Sequence, residues 1–142
     1  MKLTKILVAL VILGLIGSCK EEKKSDVISQ MKQVMNMHDE VMPKMGAMAK
    51  LAGQLSNKED STEMGMKYKT ARRDLQAARD SMMQWMQDFA NKFDTDEVMK
   101  GKELSAQKQI WLDEEEERMK AVRDQINSSI EKAENLLNSN QE

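Results

Sequence analysis

The sequence predicts an all-α protein, an elongated up-down-up three-helix bundle of coiled-coil character behind a short leader. Three observations predict it. Apolar residues recur in steps of three and four over long stretches, the spacing that keeps them on one face of a helix. Good helix formers dominate the composition, with only 6 glycines and 1 proline among 142 residues to interrupt them. Aromatic residues make up 4% of the chain, and no stretch alternates apolar and polar residues for long enough to make a strand.

Residues 1–18 read as a cleaved leader. Lys2 and Lys5 supply a positive start, and Ile6 to Ile16 form an apolar run too short to span a bilayer. The run ends in Leu15-Ile16-Gly17-Ser18-Cys19, which resembles the bacterial lipobox, whose Cys is lipidated and becomes the first mature residue. The alternative is a plain signal peptide followed by a free thiol. Cys19 is the single cysteine, so no intramolecular disulfide, CxxC pair or Cys-based zinc site is available. Lipidation makes the membrane a partner: each buried CH₂ contributes about 0.8 kcal/mol, and several acyl chains hold firmly.

Residues 19–25 continue as a polar tether. Lys20-Glu21-Glu22 resembles the Lys-acidic-acidic signal that sends Bacteroidota lipoproteins to the cell surface. The expected location is the outer membrane, on its periplasmic or its outer side. The formal net charge is −2 and becomes more negative once Lys2 and Lys5 leave with the leader. Nucleic acid is therefore not an expected partner, since its binders carry a basic excess.

About 120 residues remain, which suits one domain, and the bundle is expected over residues 26–138. Its first helix runs from about Asp26 to Leu55 on the stripe Val27, Met31, Val34, His38, Val41, Met45, Met48, Ala52 and Leu55. Pro43 interrupts it, removing a donor to the Asp39 carbonyl and favouring a kink. Ser56 to Asp60 make a turn, with Asp60 and Glu63 as a capping pair for the second helix. That helix carries Met64, Tyr68, Ala71, Leu75, Ala78, Met82, Trp85 and Phe89. Residues 91–102 break the pattern, with Thr95 as a candidate cap for one short turn.

The third helix runs from about Glu103 to Leu137 on Leu104, Trp111, Leu112, Met119, Val122, Ile126, Ile130, Ala133 and Leu137. Asp113 to Glu117 read as a solvated face, supported by Glu114–Arg118 and Glu116–Lys120 pairs one turn apart. Residues 139–142 are expected to be a disordered tail. Nothing in the sequence fixes the oligomeric state or names the envelope protein that such a bundle would meet.

The chain's 14 methionines allow two readings. In one they pack the core, because methionine is unbranched and fills irregular gaps, and the protein needs no cofactor. In the other they bind copper(I) or silver(I), since thioether sulfur is a soft ligand that stays uncharged and forms no disulfide. Met35, His38, Met42 and Met45 then supply ligands from one helical face, with Met82, Met83 and Met86 around Trp85 as a second cluster and Met82 and Met86 its chosen ligands. His38 is the only histidine. A haem held by His38 and a methionine would need a notch of small residues, and none is evident.

Catalytic patterns are missing from the sequence. A di-iron bundle needs Glu-x-x-His on two helices, but Met35 stands three residues before His38. No Gly-rich phosphate loop or Ser-centred motif occurs, so a non-enzyme is expected. His38 to Gly46, Met82 to Phe89 and Ile126 to Lys132 resemble a group of Bacteroidota lipoproteins commonly labelled "viral A-type inclusion protein". That resemblance implies a Met-rich helical envelope lipoprotein and carries no catalytic residues across.

Overall fold

The computed structural model describes residues 15–139, with side chains described from Ser25 onward. Most of the leader and residues 140–142 of the tail lie outside the described residues. Every regular element among the described residues is helical, so the all-α class holds. None of these helices is long and apolar enough to cross a membrane.

Helix α1 spans Leu15–Val41, beginning well before Asp26. The continuous first helix expected from the sequence is divided. A 3₁₀ turn, Met42–Lys44, replaces one turn around Pro43, and α2 follows over Met45–Ser56. Proline has no N–H to give Asp39 and fits the first turn of a new helix, so the chain tightens locally at this point. The Met45 N–H bonds to the Met42 carbonyl and closes the turn.

α3 spans Glu63–Lys92, and its cap is Thr62, not Asp60. The Thr62 hydroxyl accepts from the Gly65 N–H at 3.0 Å. Asp60 stands two residues earlier and accepts from the Thr62 N–H at 2.8 Å, which holds the capping residue in place. This folds the loop so tightly over α3 that a side chain on Gly65 would meet Asp60 backbone atoms at 2.5 and 2.7 Å. Glu59 pairs with Arg72 and pins the same loop from the other side.

The break at residues 91–102 holds a short helix, α4, over Thr95–Lys100. Asp94 caps it, with Thr95 as its first residue. Asp94 and Glu97 form a reciprocal capping box, at 2.9 and 2.8 Å. Gly101 ends α4 at φ 64°, the left-handed conformation that glycine adopts at least cost. Ser105 then caps α5, Ala106–Asn138, accepting from the Lys108 N–H.

The three long segments pack on one another. α1 lies chiefly against α5, whereas α2 lies chiefly against α3 and α3 against α5. Gln30 bonds to Asp113 and Glu116, and Lys44 to Asn127, so the first segment and α5 climb together. Lys92 meets Glu115 and Asp74 meets Lys132, so α3 runs counter to α5.

The core follows the expected stripe closely on α3, where Tyr68, Ala71, Leu75, Ala78, Met82, Trp85 and Phe89 are all buried. On the first segment it drifts by one position. Met37 and Leu51 are buried, while the expected His38, Met45 and Ala52 are half-buried. Each large side chain sealed here contributes about 1.5–3 kcal/mol relative to its exposed state.

Candidate functional site

The two clusters singled out in the sequence meet at a pair of rings. The His38 imidazole lies 5.8 Å from the Trp85 indole, tilted by 31°. Trp85 in turn stacks on Phe89 at 4.8 Å, and Phe89 meets Phe93 at 4.8 Å. Trp85 and Phe89 stand one turn apart on α3 and Phe93 is the extended residue that ends it, and ring pairs of this kind add about 0.5–1.5 kcal/mol each beyond their area. His38 stands at the head of this ladder.

His38 is mostly covered, with 17% of its side chain exposed, and its Nδ1 lies 2.8 Å from Asp39 Oδ1. An ionised carboxylate only accepts, so Nδ1 carries the hydrogen and donates. In the neutral ring this leaves Nε2 as the lone-pair nitrogen, the form in which histidine binds a metal. Met35, Met42, Met45 and Met86 are half-buried against the core, and Met82 is sealed inside it. Met83, beside them in sequence, is 52% exposed. The Cys19 side chain lies outside those described.

Among the described residues, no three His, Cys, Asp or Glu side chains gather as a metal-binding group. Thioether sulfur and neutral imidazole form the donor set that suits a soft cation, and His38 lies beside the Trp85 indole. A hard cation would want carboxylate oxygens, which this set lacks.

Sequence reasoning missed the other chemically loaded position. Glu115 lies in the run read as a solvated face, yet it is fully buried at 0% exposure. Its Oε1 accepts from Lys92 Nζ at 2.7 Å and from Arg118 at 2.8 Å. Arg118 also donates to Asp88 at 2.7 Å, joining α3 and α5 through four charged side chains. Glu115 Oε2 has no hydrogen-bond partner. The Glu115 backbone carbonyl accepts from Trp85 Nε1 at 3.3 Å, which ties the charge cluster to the aromatic ladder.

A signal for Glu115 was present. The steps Leu112, Met119, Val122 and Ile126 leave one vacant core position, and Glu115 fills it. Of the two expected ion pairs nearby, Glu116–Lys120 forms at 2.8 Å. Arg118, however, turns to Asp88 and Glu115, and Glu114 lies 3.9 Å from Lys92.

The partners set the local proton affinities. Arg118, then Gln84, hydrogen-bonds the Asp88 carboxyl and holds it below the ordinary carboxylate range. Asp88 in turn raises Arg118. Lys120, then Gln30, lowers Glu116 in the same way.

Comparison of the chain with family models, with curated proteins and with solved structures gives no match. The reading of this site therefore rests on its own chemistry.

Proposed function

We propose that this chain is a non-catalytic envelope lipoprotein, an elongated up-down-up three-helix bundle held to the outer membrane by acyl chains on Cys19. Its role in this reading is structural or adaptor-like, toward an envelope protein met by the exposed helix faces. One observation carries it: the methionines on the inner faces of the long helices are committed to packing. Met48, Met82 and Met119 are each no more than 1% exposed, and so is Trp85. Methionine serves there as an adaptable filler between helices. The resemblance to Met-rich Bacteroidota lipoproteins supports the same reading.

The test is the anchor. Cys19→Ala is expected to release the protein from the membrane fraction or to leave an uncleaved precursor. A variant that stays with membranes through a carbonate wash, as the parent does, would remove the lipoprotein reading.

A second reading, binding of copper(I) or silver(I), is favoured by the His38–Trp85 contact, which brings the two methionine clusters to one level of the molecule. Anaerobic titration with copper(I) against a competing chelator tests it. Stoichiometric binding tighter than micromolar that His38→Leu abolishes supports a site, and no binding leaves packing alone.

A further inference from the structure

Beside the start of the described side chains, α1, α4 and the first residues of α5 enclose a cleft of about 720 Å³. That falls within the size of ligand-binding cavities, roughly 300–1,000 Å³. Val27 and Ile28 of α1 face Val98 of α4 and Leu104 across it. At its lip Met99 is 75% exposed, more than any other large apolar side chain described. Lys32 and Lys100 stand at the rim with Asp26 and Glu103, Lys100 paired with Asp96 at 2.7 Å, and each lysine is able to lay its stem on apolar surface while its head stays in polar surroundings.

The presentation of Met99 is built in. α4 is fixed at both ends, by the Asp94–Glu97 capping box and by the turn at Gly101. Glu97 is 5% exposed and also accepts from Lys108 at 2.6 Å, which ties α4 to the start of α5. A large apolar side chain held outward beside an apolar cleft stands where a wedge into lipid would stand.

The course of the chain says what lies in front of it. α1 continues unbroken from Asp26, a cleft residue, back to Leu15. Cys19 stands seven residues before Asp26, about 10 Å along the axis and at nearly the same angle around it. If Cys19 carries acyl chains, they end in the leaflet directly before the cleft. The headgroup layer is about 5–8 Å deep on each side of the bilayer core, so a modest tilt of α1 carries Met99 into it.

We propose that this end of the molecule is a membrane-seating surface whose occupant is the phospholipid bilayer. An acyl chain of the leaflet enters between α1 and α4, Met99 inserts beside it, and the rim lysines reach the headgroups. The inference rests on the lipid-anchor reading of Cys19. Tethering raises the local concentration of surface and lipid, so a contact too weak to recruit the protein still orients it.

The test uses the full lipidated protein carrying Met99→Cys, or Met66→Cys as a control on the first turn of α3, each labelled with an environment-sensitive fluorophore. Met66 is 50% exposed and lines a groove with Asn135, near the far end of α5. Both samples are placed in vesicles of phosphatidylethanolamine and phosphatidylglycerol containing a nitroxide phospholipid. The expected result is several-fold stronger quenching at position 99 than at position 66. Equal quenching overturns the proposal. So does a blue shift at position 99 without quenching, which shows that a second copy or another protein covers the cleft. The intact mass of the same sample keeps the two readings apart. An acylated mass with equal quenching removes the seating and leaves the anchor, whereas an unacylated protein that fails to join the vesicles removes both.

Discussion

Removing Lys92 and Arg118 together leaves the Glu115 carboxylate inside the protein with no cation, and an uncompensated buried charge costs about 3–5 kcal/mol. Removing Glu115 is different. Lys92 is 26% and Arg118 41% exposed, so both heads can turn to water, and Arg118 keeps Asp88. Glu115→Met is therefore expected to be neutral, or stabilising by about 1–4 kcal/mol, while Lys92→Met with Arg118→Met destabilises strongly. Urea midpoints measure both, and the reverse order would refute this account. Acid should act through the paired carboxyls. Asp88, Glu59 and Asp94 are each held below their ordinary range, by Arg118, Arg72 and Lys102 first among their partners. A carboxyl lowered by folding stabilises fully above its unfolded value near pH 4, and that stability is lost as pH falls through the folded value. The melting temperature should thus hold above pH 5 and drop below about pH 4, less steeply in Asp88→Asn. At this scale the sequence was only half legible. Periodicity exposed nearly every apolar core residue of α3, but it discounts charge, so it passed over Glu115, whose burial depends on cations from other positions of the fold.

Single glycines now separate packing from propensity. Alanine favours a helix interior over glycine by up to about 1 kcal/mol. At Gly53 of α2 a new methyl group meets nothing within 4 Å, so Gly53→Ala should raise stability by roughly that amount. At Gly65 the same change drives a Cβ into the Asp60 backbone, and the expected cost is about 1–3 kcal/mol despite the better propensity. Thermal melts of the two variants should move in opposite directions. The class and rough length of the long helices were legible, because periodicity and composition agree over them. Their ends were not. Asp60, Thr95 and Glu103 were plausible boundaries, but the caps proved to be Thr62, Asp94 and Ser105, chosen by how each loop closes. Pro43 was read as a kink within one continuous helix, not as a division of that helix with a change of partner.

Over the whole molecule, α5 alone extends about 50 Å, and the fragment from Lys20 onward should give a strongly helical circular dichroism spectrum and a cooperative melt without added metal. A spectrum dominated by strand or coil would contradict the fold. The change of partner at Met42–Lys44 has a mechanical meaning as well. Before the turn the first segment leans chiefly on α5, and beyond it chiefly on α3. Tension applied to the start of α1 therefore loads one seam first, the Gln30 contacts with Asp113 and Glu116, while the α2–α3 seam stays slack behind the turn. In an optical trap pulling from residue 19 against the end of α5, the expected rupture is stepwise. α1 should come away as far as the turn before the remaining helices yield, which makes the 3₁₀ turn a fuse between the first helix and the rest of the core.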